Sequence, residues 1–306
     1  MDFPTSSRVI LSGASGMLGN AVRQALSGSG VPSLHLVRRK PAQDGEIEWN
    51  PAADPAIPDP APLEGAYAAI HLSGANVSAH RWTESYQREM SASRVDSTRR
   101  LSTVLAKLRN PPSTLLVASA IGIYGDRGDE SLDESSRPGS GFLAHLCREW
   151  ESAAEPARHA GIRVVHLRFG VVLGPGEGAL KQMIPPFRIG LGARIGNGHQ
   201  WMSWIGLDDV VAAALFALER KDIAGPVNVT SPNPVTNATF TQALARHLGK
   251  PALLSVPAFA VKLMFGQMAD EALLASIRVN PRKLIEAGFR FSEPNLDQAL
   301  ATALAK

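Results

Sequence analysis

The chain predicts an α/β fold, a doubly wound parallel sheet with a smaller, mostly helical C-terminal domain on its substrate side. Three observations predict it. Short apolar runs of strand length recur at 9–11, 33–37, 67–72, 114–119, 162–167 and 227–229, with helical spacing of apolar residues between several of them. The first run stops at a glycine-rich turn and continues as a helix through Val22 and Leu26. After Gly174 the alternation breaks into proline- and glycine-rich sequence, as expected where a chain leaves the sheet.

The turn after the first strand reads Ser12-Gly-Ala-Ser-Gly-Met-Leu-Gly19. Strand, tight turn and helix in that order leave the first N–H groups of the helix pointing outward, and glycines let a pyrophosphate approach them. The stretch is therefore read as a dinucleotide site built by Gly13, Ser15, Gly16, Met17, Leu18 and Gly19. Its glycines are three apart, not in the commoner G-x-G-x-x-G spacing, and an ordinary glycine turn would look alike; the flanking strand and helix favour the ligand.

The second strand, 33–37, ends in Arg38-Arg39-Lys40-Pro41, and no acid occurs between Gly19 and Asp44. An acid at this strand end would hold the ribose of NAD, whereas arginine accommodates the 2′-phosphate of NADP. NADP is the expected cofactor, with a solvated basic turn as the alternative. Residues 41–65 carry six prolines and read as an irregular connection around a short strand at 47–49. The next strand ends in Ser73-Gly74-Ala75, small residues that allow a ligand close to the backbone, although a plain loop would read the same.

Residues 83–108 read as one helix, capped by Thr83, with Met90, Val95, Leu101, Val104, Leu105 and Leu108 along one side and Pro111-Pro112 ending it. The strand at 114–119 runs into Tyr124-Gly125, and Phe142, Leu146, Trp150, Ala153 and Ala157 mark a second long helix. Pro185-Pro186, the glycine-rich span 190–198 and Trp201-Met-Ser-Trp-Ile205 form the expected substrate-side insertion. Asp208 is placed to cap a helix to about Glu219, and the chain from Thr236 is mostly helical. The expected domains are 6–180, with 205–230 returning to it, and 181–204 with 231–306.

Composition narrows the class of function. With 44% hydrophobic and 19% charged residues the chain is of globular type, and its net charge of +3 is scattered, with no basic run interleaved with aromatics to suggest nucleic acid. The single cysteine, Cys147, excludes an internal disulfide and suits a reducing compartment. Nothing in 1–7 reads as a secretory signal and no apolar run reaches membrane-spanning length, so a cytoplasmic protein is expected, with no membrane partner and no metal site.

Taken together, these segments resemble the extended short-chain dehydrogenases/reductases of the NAD-dependent epimerase/dehydratase superfamily. More narrowly, they are similar to the epimerase family proteins, which carry a small C-terminal domain of unassigned role. The resemblance rests on the glycine turn, Val37-Arg-Arg-Lys-Pro41, His71-Leu-Ser-Gly-Ala75, Ser93-Arg94, Tyr124-Gly-Asp126 and Trp150-Glu151. It continues through Leu167-Arg-Phe-Gly-Val-Val-Leu-Gly174, Pro185-Pro-Phe-Arg-Ile-Gly-Leu-Gly192, Ser203-Trp-Ile205 with Asp208-Asp209, and Ser231-Pro232. It implies a Rossmann sheet binding NADP(H), with Gly13, Gly16 and Gly19 at the pyrophosphate and Arg38 and Arg39 at the 2′-phosphate. It further implies Leu72, Ser73 and Gly74 along the cofactor, and Glu89, Arg94 and Arg168 as lining residues. Arg94 stands where the superfamily usually has asparagine, and a structural ion pair is the alternative role for Arg94 and Arg168.

The superfamily's chemistry uses a tyrosine whose pKa is lowered by a lysine four residues on, one helical turn away. Here the residues four after Tyr67, Tyr86 and Tyr124 are His71, Met90 and Gly128, and alignment on Glu151 puts Leu143 and Cys147 where the pair would stand. Ser119 and Tyr124 are left as the catalytic candidates to orient a substrate, although an unassisted tyrosine titrates near about 10. Asp133, Glu134, His145, Cys147 and Glu151 are the other proton-transfer candidates; Cys147 reads most simply as packing, and His145 and Glu151 as solvated. Gly206 stands where the narrower group usually shows histidine. Two readings follow: an NADP-dependent oxidoreductase or epimerase acting on an unidentified small molecule, or a catalytically silent NADP(H)-binding protein. A homodimer through helices 83–108 and 142–159 is implied by the superfamily, and the charges on their outer faces (Arg88, Arg99, Arg100, Arg148, Glu149) weigh equally against it.

Overall fold

In its first half the chain alternates strand and helix: β1 (Val9–Ser12), α1 (Met17–Gly28), β2 (Ser33–Val37), β3 (Glu46–Glu48), β4 (Ala68–His71), α2 (Glu84–Ser91), α3 (Ser97–Ala106), β5 (Thr114–Ala120), β6 (Ser131–Leu132), α4 (Phe142–Ser152), α5 (Glu155–His159) and β7 (Arg163–Phe169). It continues through β8 (Val171–Leu173), α6 (Gly178–Arg188), β9 (Ala193–Ile195), β10 (Trp201–Met202), β11 (Trp204–Gly206), α7 (Leu207–Glu219), β12 (Gly225–Val229), β13 (Val235–Thr236), α8 (Asn237–His247), β14 (Leu254–Val256), α9 (Ala258–Phe265), β15 (Arg278–Val279), α10 (Arg282–Glu286) and α11 (Leu296–Ala305). The computed structural model describes residues 8–305; the expected absence of a signal in 1–7 and the expected domain limits at 6 and 306 lie outside them.

Seven strands form one parallel sheet in the order β12-β7-β5-β4-β1-β2-β3. Successive side chains on a strand face opposite ways. Val9, Leu11, Ile70, Leu116 and Leu167 therefore pack with Val22 and Leu26 of α1 and with α7. Ile10, Ala69, Leu115, Val117 and Val164 pack on the other face with Leu101 and Leu105 of α3 and with Trp150 and Ala157. Covering both faces requires apolar residues in either register, which is why these strands read as continuous apolar runs. The strand order reverses between β1 and β4, and that crevice at the carboxyl edge is where a doubly wound sheet receives a ligand.

Three expected elements differ in detail. The helix read over 83–108 contains a π-turn at Ala92–Asp96 between α2 and α3. The helix read through Ala157 breaks after Ser152 because Pro156, the second residue of α5, has no N–H to return to the carbonyl of Ser152. Asp208 is not a cap: the cap of α7 is Gly206, two residues earlier, and Asp208 sits in the first turn, where its charge complements the helix dipole. Thr83 does cap α2, its Oγ1 accepting the N–H of Tyr86 at 3.3 Å.

The C-terminal region is tied back into the first half. β14 pairs with β9 and β15 with β6, both parallel. From a π-turn at Ala269–Leu273, Glu271 accepts the N–H groups of Phe142 (3.0 Å) and Leu143 (2.7 Å) at the start of α4, whose own N-cap, Gly141, offers no side chain. No helix among the described residues is long and apolar enough to cross a membrane. Glu271→Ala leaves those N–H groups without a carboxylate cap and should destabilise the protein by about 1 kcal/mol; urea unfolding of the variant checks it, with Glu271→Gln, which keeps one of the two acceptor oxygens, recovering only part of the loss.

Candidate functional site

The glycine turn lies in the crevice between β1 and β4. Gly13 has φ 75°, and a Cβ there would come within 2.9 Å of the Leu72 carbonyl carbon and 3.0 Å of the Ser73 nitrogen. A Cβ on Gly19 would meet the Gly13 carbonyl oxygen at 2.0 Å, so that position is closed to any side chain. Gly16 is different: a Cβ there meets only the Gly13 oxygen, at 3.6 Å, so a larger side chain would project over the turn. As the N-cap of α1, Gly16 precedes a first turn with no side-chain cap and no acid, which leaves N–H groups available to an anion. Ser15 is exposed. Met17 packs toward Gly174 and Gly178, and Leu18 against the core beneath. These residues fit a dinucleotide pyrophosphate through backbone, not side chains.

The neighbouring segment 72–75 is held from below. Ser93 Oγ accepts the Ala75 N–H at 3.0 Å, and Arg94 Nη2 donates to the Ala75 carbonyl at 2.7 Å. Both come from the π-turn, whose extra residue per turn re-aims these side chains. Arg94 is buried, lies over the Trp150 indole at 5.2 Å, and has no carboxylate partner among the described residues; burial lowers its pKa. Behind the turn, Ser12 Oγ and His71 Nδ1 are 2.5 Å apart, and His71 Nε2 lies 3.2 Å from Ser97 Oγ. Ser97 directs its proton to the Ser93 carbonyl at 2.7 Å, so His71 donates from Nε2 and accepts the Ser12 hydroxyl at Nδ1. Burial pushes this imidazole down to about 4, which keeps it neutral.

At the end of β2, Arg38 is exposed with no ion-pair partner among the described residues. Arg39 departs from the expectation of two equivalent arginines. Its Nη1 and Nη2 donate to Glu46 on β3 at 2.7 and 2.5 Å, and this pairing, with the Ala42 N–H, holds the Glu46 carboxyl down at about 2. Glu89 is exposed on α2.

Arg168, Ser119 and Tyr124 share one hydrogen-bonded network. Arg168 donates from Nε and Nη2 to the two Glu151 oxygens, each at 2.8 Å, and from Nη1 to the Tyr124 hydroxyl at 3.0 Å. Ser119 donates to Glu151 at 2.8 Å, and Tyr124 to Asn228 Oδ1 at 2.7 Å. Ser119, Arg168 and Asn228 are in register across β5, β7 and β12, so they project from one face of the sheet toward α4. Burial raises the Glu151 carboxyl, but the hydrogen bond and charge of Arg168 outweigh it and the net shift is downward. Burial pushes the Tyr124 phenol above its ordinary value and Arg168 offsets only part of that. Glu151 is thus a half-buried ion-pair partner, not the solvated residue expected, and Arg168 makes the ion pair that was its alternative role. Both hydroxyls proposed for substrate are occupied by protein partners.

Beside this network, a cavity of about 920 Å³ separates the loops after β5 from the C-terminal region. Leu143, in the place of the superfamily tyrosine, lines it and packs on Gly122, while neither Ser119 nor Tyr124 does. Cys147, one turn on, is fully buried, with its thiol pushed up to about 12 by burial and by Glu151. Of the other candidates, His145 is exposed, Asp133 pairs with Arg282 at 3.0 Å, and Glu134 accepts the Asn228 N–H at 3.0 Å. The cavity's polar groups include Asp126, Asp129, His199, Gln200, Asp270 and Glu271. Sequence reasoning missed most of them because three distant segments supply them; only Asp126, in Tyr124-Gly-Asp126, stood in a recognisable motif. Gly206 has its own explanation: a Cβ there would lie 2.0 Å from Glu293 Oε2, so a carboxylate occupies the space a histidine would need.

Comparison with known proteins agrees with this architecture. Residues 9–230 match the NAD dependent epimerase/dehydratase family, and 256–303 match a domain of unknown function, DUF1731. The chain belongs to the NAD dependent epimerase/dehydratase family and, within it, to the group of epimerase family proteins. It is 42% identical over 298 residues to the epimerase family protein Mb2239 of Mycobacterium bovis, covering 97% of this chain and 98% of that one. It is 34% identical over 301 residues to human epimerase family protein SDR39U1, covering 97% of this chain and all of that one (100%). The crystal structure of the human protein with NADPH superposes with a TM-score of 0.88 at 33% identity, over 98% of this chain and 99% of that one. A nucleoside-diphosphate sugar epimerase from Corynebacterium glutamicum superposes with a TM-score of 0.81 at 34% identity, over 98% of this chain and 58% of that one.

Two expected outcomes test the buried polar groups. Glu151→Ala strands the Arg168 charge in the interior and should cost about 3 to 5 kcal/mol in urea unfolding at neutral pH. In the unaltered protein the Glu151 contribution is present above the ordinary carboxylate range and is lost as pH falls through its lowered folded value. His71 has its ordinary pKa of 6.5 depressed to about 4, so its contribution is complete above 6.5 and declines as pH falls toward 4. The stability difference between the unaltered protein and His71→Leu, followed by unfolding across that range, should shrink with falling pH.

Proposed function

We propose that this chain binds NADP(H) across the glycine turn and the 72–75 segment, and exchanges hydride between that cofactor and a small molecule held in the cavity beside Leu143. The single observation that carries the reading is the cradle itself: Gly13 and Gly19 admit no Cβ, and an exposed arginine stands at the end of β2. NADPH in the crystal structure of the human relative supports the same cofactor here. When bound, the nicotinamide would supply or accept the hydride. The proton would move through groups lining the cavity, because Leu143 and Cys147 replace the superfamily pair and Tyr124 is bound to Arg168 and Asn228. The same replacement favours the second reading, a catalytically silent NADP(H)-binding protein. A buried free thiol suits the reducing cytoplasm proposed for it.

Titration with NADPH and NADH, followed by tryptophan fluorescence, tests the cofactor. NADPH should bind more tightly. Arg38→Ala should weaken NADPH by about tenfold or more and spare NADH, since a charge-assisted bond to the 2′-phosphate is lost. Arg39→Ala should cost less, because that guanidinium is held by Glu46. Gly16→Val should abolish binding of both without lowering Tm. Equal affinity for the two nucleotides, or a folded Gly16→Val protein with unaltered NADPH binding, overturns the assignment. NADPH consumption over a panel of aldehydes and ketones separates the enzyme from the silent binder, and Tyr124→Phe should leave any such turnover within about threefold if the phenol takes no part in proton transfer.

A further inference from the structure

The charged side chains lining the cavity are mostly of one sign, set among Ser140, Asn197, His199, Gln200 and Ser276. Asp126, Asp129, Asp270 and Glu271 contribute carboxylates, and the one ammonium among the lining residues, Lys262, is 2.7 Å from Asp270. Asp126 Oδ1 accepts the N–H groups of Gly128 and Ser276 at 3.2 and 3.1 Å, and Asp129 Oδ1 accepts the Trp201 indole N–H at 2.8 Å. Each aspartate keeps its second oxygen. The nearby Arg278 guanidinium lies over the Trp201 ring, 4.3 Å from its centroid.

An independent observation comes from Gln200, which lines the cavity although only 7% of it is exposed. Its Nε2 donates to two carbonyls, Ile195 at 3.1 Å and Leu273 at 3.1 Å. Two acceptors on that side fix the amide orientation, because the amide oxygen cannot face a carbonyl. Oε1 is thereby turned away from both, has no protein partner among the described residues, and is left for whatever fills the cavity. That oxygen is not among the buried atoms left without a partner, so it reaches the solvent-filled side of the cavity and can accept from a ligand that replaces water there.

We propose that this cavity binds a small molecule that donates hydrogen bonds and carries no anionic group, a polyol or amino-polyol, and that it rejects nucleoside diphosphates. A diphosphate needs cations or free N–H groups to replace its water; here four carboxylates face one ammonium that is already paired with Asp270, and besides Gln200 the remaining polar side chains are Ser140, Asn197, His199 and Ser276. A hydroxyl or ammonium finds all three acceptors, Gln200, Asp126 and Asp129, unfilled on one side. The inference rests on the reading that this cavity receives the reacting partner of NADP(H), and it departs from the nucleoside-diphosphate sugar named for the Corynebacterium relative.

One hexose skeleton carrying different charges tests it. Glucosamine, glucose, glucuronate, glucose 6-phosphate and UDP-glucose are compared by saturation-transfer NMR on the full chain, with and without NADPH. Glucose and glucosamine should bind, with the anionic members at least about tenfold weaker. Asp129→Asn keeps an oxygen for the Trp201 N–H while removing the charge, and should narrow the glucosamine-to-glucuronate ratio by about threefold or more. Gln200→Met should weaken glucose and glucosamine alike. UDP-glucose or glucose 6-phosphate binding as tightly as glucose, absence of binding by both glucose and glucosamine, or an unchanged ratio in Asp129→Asn overturns the proposal. Loss of NADPH binding with the sugar ranking intact overturns only the cofactor reading, whereas NADPH binding with the ranking inverted overturns only this one.

Discussion

A guanidinium buried beneath the carboxyl end of a parallel sheet has to be neutralised and given acceptors where it stands, and the arrangement around Arg168 follows from that requirement. Glu151 of α4 supplies the charge and Tyr124 an acceptor, so two segments converge on one side chain from β7, and Ser119 of β5 donates to the same carboxylate. Tyr124 passes the constraint to Asn228 on β12, whose N–H is taken by Glu134, and Glu134 also accepts from the Lys283 N–H on α10. Removing one partner of such a pair leaves an uncompensated charge. Ser119, Tyr124, Glu151 and Arg168 are therefore committed to hydrogen bonds that hold helix and sheet together.

The cofactor side obeys a different logic. There the backbone is the binding surface, and side chains serve to hold it still. His71 fixes Ser12 at the mouth of the turn and reaches Ser97 in α3, while Ser93 and Arg94 secure both polar groups of the Ala75 peptide. The turn, the strand end and the π-turn thus share one set of hydrogen bonds. Arg94 remains the exception in that set, a buried cation balanced by carbonyls and an indole face, with no carboxylate among the described residues.

Local sequence patterns carried most of the fold. Strand runs, the glycine turn and the Thr83 cap depend on residues a few positions apart, and such spacing is visible in a chain read alone. What escaped depends on partners brought together by the sheet. The glutamate that occupies Arg39 is seven residues later, but on the adjacent strand, so its role appears only once β2 and β3 are paired. Ser119, Arg168 and Asn228 share a face only because β5, β7 and β12 are neighbours in that register. The cavity was the least legible feature, since its walls come from segments around 126, 200 and 270 that have no common motif.

The Glu271 contact with α4 bears on how the chain can be divided. The two matched regions, 9–230 and 256–303, look like separable modules. Yet the first helical turn beside Leu143 is completed by a carboxylate from the second region, and β6 and β9 find their strand partners there. The C-terminal region is thus an internal scaffold, and recombination between relatives at the apparent boundary would exchange a helix cap and two strand pairings along with any change in specificity.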